Sequence, residues 1–405
     1  HLATTTLVVV GAVLLLRALP ARAGDGHSEG HIGSPFTPIE VSNCTELQAL
    51  NTTVIANGNV QKVVLTNDID CSDSVNWNDG IGFIPIGLGA DGSDQSANYG
   101  YNFDGKGHTI NHLYINQSNV QNNTSGQTGL FSSFRDGTIN DLFVRDATII
   151  GNTSHLSYDV GTGGIVGAVK SGASVYLVNV HFEGSVQATA TDCHNPHAIG
   201  GLVGAMYGSA TQKIIGSSSE GSVTMSGPAC DYGFVAGGLV GSIYSGDTVI
   251  NSFSSADVQM NSNATGNCLN GRCHTVGGLV GSINAYDFAV VQYSYASGAL
   301  SVTDTSQANR SYVIGGVVGV IGGTGYSQLA TSFSTSPISA PPTCSDQDCG
   351  TNLRQAGGTI GGLEDGATGN SYANVYDQQA VGVDDCIGGS GGDCAVNTLA
   401  NPDPD

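Results

Sequence analysis

Hydrophobic residues recur along this chain as pairs set between glycines, at a nearly constant spacing. Five copies share the order Gly-Gly, two apolar residues, Gly; they span residues 163–167, 200–204, 237–241, 277–281 and 315–319. We interpret Gly361-Gly362-Leu363 as a decayed last copy and Gly129-Leu130-Phe131 as a shortened first one. A fixed motif that returns every 35 to 46 residues is typical of a solenoid, in which stacked repeats bury one continuous core.

One glycine in each copy directly precedes the apolar pair, and we predict a structural role for it. In chain order these repeat glycines are Gly164, Gly201, Gly238, Gly278, Gly316 and Gly362. We expect glycine there because the backbone has to bend sharply between short strands.

A second pattern follows each motif by 12 to 14 residues and has a β-type composition. It begins at Val178, Ile215, Ile250, Val291 and Ala330. Eight residues further on lies a small or apolar residue, which is Val186, Val223, Val258, Ala299 or Ile338. No helical period of 3.6 residues persists in any repeat. The sequence therefore predicts an all-β parallel β-helix with about three short strands per repeat, one coil per repeat, rising roughly 4.8 Å per coil.

The chain divides into five predicted segments. They are a signal peptide at 1–23, a linker at 24–41, an N-terminal cap with the first coils at 42–128, the repeat β-helix at 129–376, and a cysteine-containing cap with an acidic tail at 377–405. The apolar run Leu7–Leu16 is too short to span a bilayer and precedes the cleavage signal Ala21-Arg22-Ala23. Because the chain opens on His1, we expect a truncated start. Cleavage after Ala23 would leave a mature chain without a membrane span, and an uncleaved anchor is the alternative.

The cap is predicted to contain a short helix over Cys44–Leu50, with Asn43 or Thr45 as its N-cap residue. A helix at this point would cover the exposed strand edge of the first coil.

Charge narrows the classes of partner. Only 11% of the 405 residues are charged, and they give a net charge of -22. Such a chain repels phosphate backbones and anionic membranes, so we expect no nucleic-acid partner. Solubility explains the acidity most simply, and divalent cation binding by surface carboxylates is the alternative.

Ten cysteines indicate an oxidising compartment and a set of disulfides. Cys193 and Cys230 each lie seven residues before a motif glycine, so stacking predicts a Cys193–Cys230 bridge between consecutive coils. Three close pairs would join local loops, namely Cys268 with Cys273, Cys344 with Cys349, and Cys386 with Cys394. This leaves Cys44 with Cys71. Zinc is the alternative for the short pairs, although no second pair of thiols or imidazoles completes a site.

Candidate glycosylation sites also fit a secreted chain. The sequons lie at Asn43, Asn51, Asn116, Asn122, Asn123, Asn152, Asn263 and Asn309. Several are expected by chance in a chain rich in serine, threonine and asparagine, and in a bacterial protein most would carry no meaning.

The order of motifs between the cap and the first repeats resembles that of GLUG-motif repeat proteins. It runs through residues 65–70, 85–87, 103–110 and 113–115, and the Gly-Gly-Leu-Val-Gly copies supply the motif that names the family. The resemblance covers roughly Cys44 to Tyr376. It implies a right-handed β-helix on a secreted or cell-surface protein that is adhesin-like or a structural stalk. Some members carry the repeat beside an immunoglobulin-cleaving zinc peptidase domain, whose H-E-x-x-H motif is absent here.

Catalytic residues are harder to place. A polysaccharide lyase or hydrolase needs carboxylates that converge on one face. Glu183 and Glu220 align in neighbouring repeats, but the next repeat has Ser255. The adjacent pairs Glu364-Asp365 and Asp384-Asp385 would point to opposite faces of a strand. We therefore predict no enzyme, no catalytic residues and no cofactor.

Two histidines are candidates for a metal site. His194 and His197 could bind a metal with Asp192, but they share a cysteine-bearing stretch that we interpret as a solvated loop. The sequence therefore predicts no metal site.

Aromatic residues raise the question of a binding face. Phe182, Phe253, Tyr293 and Phe333 stand at similar places in their repeats. They could form a sugar-stacking ladder, and we favour packing in the core instead.

The sequence then predicts an extracellular structural or adhesive β-helix, as a surface stalk or a fibre subunit that associates end to end. Matrix glycans or surface proteins are the expected partners. A carbohydrate-binding or polysaccharide-degrading β-helix is the alternative.

Overall fold

Between Thr37 and Tyr376, the residues that the structure describes wind into a parallel β-solenoid of about six turns. The computed structural model describes residues 37–53, 61–88, 100–118, 126–152, 160–170, 174–189, 197–207, 211–227, 233–244, 246–262, 274–304, 312–339, 354–363 and 371–376. Strands of successive coils pair in parallel and form three sheets, which we call sheets 1, 2 and 3 in the order that a coil visits them. The predicted parallel β-helix is confirmed, and its right hand stays a prediction.

Sheets 1 and 2 are built from short strands on either side of the motif glycines. Sheet 1 contains Val160–Gly163, His197–Gly200, Phe234–Gly237, His274–Gly277, Tyr312–Gly315 and Arg354–Gly357. Sheet 2 contains Phe131–Phe134, Val166–Val169, Val203–Met206, Val240–Ile243, Val280–Asn284, Val318–Gly322 and Ile360–Leu363. We call the glycine-rich turn between these sheets the corner.

Sheet 3 takes up the rest of each coil. Its strands are Ile39–Val41, Gln61–Leu65, Ile69–Asp70, Gly100–Asp104, Thr109–Asn111, Tyr114–Asn116, Asp136–Asn152, Val175–Thr189, Gln212–Ile215, Ser218–Gly227, Asp247–Ile250, Phe253–Ser254, Asp257–Ser262, Phe288–Gln292, Tyr295–Ala296, Leu300–Asp304, Tyr326–Ser334, Ile338–Ser339 and Ser371–Tyr376. Several are much longer than the short strands that we predicted. The first coils, predicted as part of the cap segment 42–128, pair directly with the repeats in this sheet.

The helical elements all lie near the start of the described chain. An α-helix spans Cys44–Thr53, and two 3₁₀ helices span Ser72–Asn76 and Asn78–Gly80. Asn43 Oδ1 accepts a hydrogen bond from the Glu46 amide at 2.9 Å, so Asn43 is the N-cap residue, one of the two that we predicted. The helix buries Leu47 in the first coil.

The strand register corrects three of our repeat assignments. In sheet 3, Ile250 pairs with Gln292, so the assignment of Val291 is wrong by one residue. Val258 pairs with Leu300, so Leu300 is the equivalent of Val186 and the assignment of Ala299 is wrong by one residue as well. At the corner, Gly315 pairs with Gly357. The last copy of the motif is therefore residues 357–361, and Gly362 lies in a sheet 2 strand opposite Val320. The Ala299 error follows from the Val291 error, because the spacing of eight residues holds between Gln292 and Leu300. The last copy was misplaced because Thr359 stands where the other copies have an apolar residue.

The corner needs glycine because neighbouring coils approach too closely for a side chain. A Cβ atom at Gly238 would meet the carbonyl oxygen of Gly278 in the next coil and the Ser254 hydroxyl of sheet 3 in its own coil. Gly201 and Gly316 face a carbonyl and a serine in the same way. None of these glycines has a left-handed φ, so close contact, rather than the sharp bend that we expected, excludes other residues.

Sheet 3 bends once in every repeat at a residue with left-handed backbone. Asn179, Gly216, Asn251, Tyr293 and Thr331 occupy this position with φ between 50° and 59°. Asparagine and glycine tolerate this conformation well, whereas tyrosine and threonine rarely adopt it. The bend therefore comes from the fold and not from local sequence preference alone.

Directly after the bend, a column of buried serines runs along the solenoid. Ser217, Ser252, Ser294 and Ser332 each donate their hydroxyl to the carbonyl two residues earlier, at 2.7–3.1 Å. In three of the four, the same hydroxyl oxygen accepts the amide of the preceding coil's serine, at 3.2–3.4 Å. The column satisfies backbone groups that the bend removes from the strand ladder, and apolar side chains make up most of the remaining interior.

Candidate functional site

A chain of hydrogen bonds crosses four side chains on the outer face of sheet 3. Asn179 donates its amide to Asp141 Oδ1 at 2.7 Å, which turns Asn179 Oδ1 towards His181 Nε2 at 2.9 Å. His181 Nδ1 lies 2.7 Å from Ser218 Oγ. Because an amide oxygen only accepts, Nε2 carries the proton and Nδ1 accepts the hydroxyl proton of Ser218.

Burial favours the neutral form of His181. Loss of solvent lowers the pKa of the imidazole below its ordinary value, the Glu220 charge opposes the shift, and the Arg145 charge adds to it. A neutral imidazole that accepts a hydroxyl proton can polarise that hydroxyl or hold it in one orientation.

A small notch opens above Ser218. Its volume is ≈ 130 Å³, and its walls include the rings of His181 and Phe253. The rim carries Arg145, Glu183 and Glu220, and the Arg145 Nε atom lies 3.7 Å from Glu183 Oε2. Aromatic rings therefore form the walls of the notch, and charged side chains form its rim.

Beyond the notch, aromatic rings stack along the outer face. The ring centroids of Phe253 and Tyr295 are 5.0 Å apart, and those of Tyr295 and Phe333 are 5.1 Å apart, with nearly parallel planes. Phe143 stacks on His181 at 4.7 Å on the other side of the notch. These rings belong to one column, since the register pairs each with its neighbour or with Ser218.

The predicted burial of the aromatic residues is wrong for three of the four. Phe182 is buried in the core opposite Gly164, as we favoured. Phe253 is half-buried on the outer face, whereas Phe333 and Tyr293 are exposed. The sugar ladder does not describe the stack either, because the ring of Tyr295 covers its neighbours and leaves few open faces.

The first coils present charge instead of aromatic rings on this face. The Asp104 carboxylate lies 3.2 Å from Lys62 Nζ and 3.1 Å from Lys106 Nζ. Burial alone would raise the pKa of Asp104, but hydrogen bonds from both lysines hold it below its ordinary value. Asp70 pairs with His112 at 2.9 Å, and that hydrogen bond is the main reason for the lowered pKa of Asp70.

The structure places one of the predicted disulfides. Cys44, at the start of the α-helix, is bonded to Cys71, with 5.3 Å between their Cα atoms. The strands that follow Cys193 and Cys230 pair His197 with Phe234, and each cysteine precedes its member of that pair by four residues. The Cys193–Cys230 bridge nevertheless stays a prediction.

The other predicted cysteines lie outside the described residues, so the structure does not place them. They are Cys193, Cys230, Cys268, Cys273, Cys344, Cys349, Cys386 and Cys394. The three loop pairings, Cys268 with Cys273, Cys344 with Cys349, and Cys386 with Cys394, therefore stay predictions as well.

The described sequons differ in how they use their amide groups. Asn51 is half-buried, donates to the carbonyls of Ile84 and Pro85, and accepts from the Gly87 amide. This side chain fastens the helix to the first coil and is a poor glycan acceptor. Asn43 caps the helix, and Asn116 accepts from Ser118. Sequons whose side chains lie outside the described residues are Asn122, Asn123, Asn152, Asn263 and Asn309.

His197 is not on a solvated loop, which corrects that prediction. It lies in a sheet 1 strand, is 1% exposed, and packs against the Phe234 ring with 6.0 Å between centroids. Asp192 and His194 lie outside the described residues, as do residues 364, 365, 384 and 385. Among the residues that the structure describes, no three metal-binding side chains come together. Within the same part of the chain, no helix has the length and hydropathy of a membrane span.

From the sequence we named Glu183, Glu220 and Phe253, but we did not name the polar residues between them. The register confirms that these two glutamates pair. The missed residues were Arg145, His181 and Ser218. The same alignment contained the signal, because it placed His181 and Ser218 two positions before the glutamates in consecutive repeats.

Two solved structures share the fold of this chain, and one curated protein shares part of its sequence. No family model matches the chain. Halomucin from Haloquadratum walsbyi (strain DSM 16790 / HBSQ001) is 33% identical over 154 residues, which is 38% of this chain and 2% of halomucin. A solved structure provisionally assigned as an immunoglobulin A1 protease from Bacteroides ovatus has a TM-score of 0.50 and 17% identity, and it covers 82% of this chain and 85% of that one. A second structure, IgA1 protease, has a TM-score of 0.50 and 16% identity, over 83% of this chain and 21% of that one.

These neighbours contradict the prediction that the chain is not an enzyme. Both carry the name of a protease, so the lack of a recognised catalytic motif was not a sound basis for excluding catalysis. At 16–17% identity the likeness itself shows the fold alone.

Proposed function

We propose that this chain is an extracellular adhesive solenoid that presents the outer face of sheet 3 to a glycan-bearing surface. The observation that supports it is a set of exposed aromatic side chains on two consecutive later coils of that face, where the strand register places Phe288 beside Tyr326. Tyr293 is 57% exposed, Tyr326 42% and Phe333 38%. Exposed apolar side chains that cluster, and are not scattered singly, mark interaction surfaces in soluble proteins.

The remaining properties of the chain agree with this role. Its cysteine content and the Cys44–Cys71 disulfide suit an oxidising compartment. Halomucin shares sequence with part of this chain, and two structures named as immunoglobulin A1 proteases share its fold. The resemblance to GLUG-motif repeat proteins belongs to the same proposal.

Retention on a mucin-coated surface tests the proposal. We expect the full chain to bind an immobilised mucin glycoprotein more strongly than an albumin-coated control. The double variant Tyr293→Ser/Tyr326→Ser should lose at least tenfold in affinity, because both aromatic side chains lie on the proposed contact face. Gln328→Ser is the matched control, since Gln328 is a polar outward residue on the same strand as Tyr326. Equal retention of the full chain on mucin and albumin would contradict the proposal.

End-to-end association is the way in which we propose that such a solenoid extends into a stalk or fibre. The first strand, Ile39–Val41, pairs with Gln61–Leu65, and within the described residues no strand pairs with its other edge. An open strand edge can accept another chain. Sedimentation velocity over a range of concentrations checks this, and a monomer at every concentration would contradict it.

Hydrolysis is a second candidate, favoured by the contact between Ser218 and His181. A serine hydroxyl that donates to a neutral imidazole, itself oriented by an amide, has the relationship of a nucleophile to its base. Incubation with immunoglobulin A1, the protein named in the solved neighbours, tests this candidate. Fragments that form with the native chain and not with Ser218→Ala would support it, and intact immunoglobulin with both proteins would exclude it.

A further inference from the structure

The aromatic column on the outer face of sheet 3 is interrupted once. The register runs Phe143, His181, Ser218, Phe253, Tyr295 and Phe333, one residue from each consecutive coil. Five of these six residues carry a ring. The exception is Ser218, and the notch lies there because a serine side chain is too small to fill the space that a ring occupies in the other coils.

The width of the gap matches the thickness of one ring. His181 and Phe253 stand two strand spacings apart, which is about 9.6 Å. A ring midway between them would lie about 4.8 Å from each. This distance equals the spacing at which the column already stacks, 4.7 Å for Phe143 on His181 and 5.0 Å for Phe253 on Tyr295. The volume of ≈ 130 Å³ is also that of a single-ring site, since apolar cavities of about 150 Å³ bind one benzene.

The two walls are held in place before any ligand arrives. Asn179 and Ser218 bond the two nitrogens of His181, and Phe143 supports its rear face. Tyr295 supports the rear face of Phe253. A preformed slot loses little conformational freedom when it binds a ligand, which favours affinity.

The rim selects the chemistry of the ring. Glu183 and Glu220 are exposed carboxylates beside the slot, and the Arg145 guanidinium adds donors next to them. A pyranose presents apolar C–H faces to the two walls and hydroxyl groups at its edge, where these carboxylates accept and the guanidinium donates. The side chain of an apolar aromatic residue has no hydroxyl groups that could form hydrogen bonds with these carboxylates and the guanidinium. The two carboxylates and the net charge of -22 disfavour an acidic sugar.

We infer that the gap at Ser218 is a binding slot for one uncharged pyranose ring of a glycan, stacked between His181 and Phe253. This inference deepens the proposed adhesive function and rests on it, because it names the ligand class of the same face.

A substitution that fills the slot with a side chain of the protein itself tests the inference. Ser218→Phe would supply the missing ring at the same place in the column, so we expect a folded chain with no slot. The probes are the methyl pyranosides of glucose, galactose, mannose and N-acetylglucosamine, titrated into the full chain by calorimetry and saturation-transfer NMR. We expect at least one to bind the native chain, and binding to fall at least tenfold in Ser218→Phe. Glu220→Gln keeps the shape of the rim and should weaken binding severalfold, which covers the case in which Ser218→Phe does not fold.

Gln328→Ser is the matched control, because it changes a polar side chain on the same face outside the slot and should leave pyranoside binding unchanged. Binding that persists equally in Ser218→Phe and Glu220→Gln would overturn the slot. Binding of tyrosinamide but of no pyranoside would overturn the assignment of the ligand. If the native chain is retained on mucin while both slot variants are retained equally well, the slot inference fails and the adhesive function stands. If the native chain is not retained on mucin, the adhesive function fails.

Discussion

The corner and the outer face of sheet 3 belong to the same coils but obey different constraints. At the corner, glycine recurs in every coil because the carbonyl of the next coil leaves no space for a Cβ atom. On the outer face, one column holds Phe143, His181, Ser218 and Phe253 in successive coils. A residue type that recurs in every coil is therefore one that the stacking of coils requires. A position whose residue varies from coil to coil is free of that requirement and can form a binding site.

The largest effect is expected at the corner. Gly238→Val would place a side chain against the Gly278 carbonyl and the Ser254 hydroxyl, and should cost about 3 kcal/mol or more of unfolding free energy. Denaturant titration measures it. The control is Gly216→Asn, at a left-handed position with open space around it, which Asn179 and Asn251 occupy in the adjacent coils. A tolerated Gly238→Val would refute the close-contact explanation.

Removing a ring from the aromatic stack on the outer face should lower the free energy of unfolding less than the change at the corner. Tyr295→Ala removes the middle ring of three, with contacts to Phe253 at 5.0 Å and Phe333 at 5.1 Å. We expect a loss of about 1–3 kcal/mol, since each stacked pair contributes about 0.5–1.5 kcal/mol. Tyr295→Phe keeps the ring and should change the thermal midpoint little. Equal stability of the alanine and phenylalanine variants would show that the stack is incidental.

Removing a hydroxyl from the serine column is expected to lower the free energy of unfolding slightly less than removing a ring from the outer stack. Ser252→Ala loses a hydrogen bond to the Ile250 carbonyl and leaves the buried Ser217 amide without its acceptor. The expected cost is about 1–2 kcal/mol in a chemical denaturation experiment. Ser255→Ala, on the outward side of the same coil, is the comparison and should lie within about 0.5 kcal/mol of the native chain. A cost at Ser255 equal to that at Ser252 would contradict the account.

The smallest effect concerns pH. The folded pKa of His181 is lowered by burial, so between that value and the ordinary value near 6.5 the unfolded chain binds more protons than the folded one. The stability that this histidine contributes is present above about pH 6.5 and is lost as pH falls through the folded pKa. The native chain should therefore lose stability relative to His181→Phe between about pH 7.5 and about pH 5. Parallel pH profiles of the two proteins would contradict the lowered pKa.

The fold could be predicted from the sequence because close packing of coils leaves one residue type at the corner. The repeated glycines and apolar pairs follow directly from that requirement, and they predicted the solenoid and its period. The helix cap at Asn43 could be predicted for a similar reason, since few side chains can accept the first free amides of a helix.

The faces of the aromatic residues could not be predicted in the same way. The left-handed residue in each repeat shifts the alternation of side chains, so a misalignment by one residue exchanges inside and outside. Phe182 aligns with the buried Ser254, whereas Phe253 aligns with the exterior His181. The slot was missed for the same reason, because it depends on which coils carry a ring in one exact column.

Hydroxyl-radical footprinting of the full chain, with and without a soluble mucin glycoprotein, tests most directly whether the outer face of sheet 3 is the binding surface. We predict protection of Phe253, Tyr293 and Tyr326 on that face. Tyr207 and Tyr244, which stack on each other at 4.8 Å just beyond the sheet 2 strands, should keep their reactivity. Protection confined to Tyr207 and Tyr244, or no protection at saturating mucin, would contradict the account.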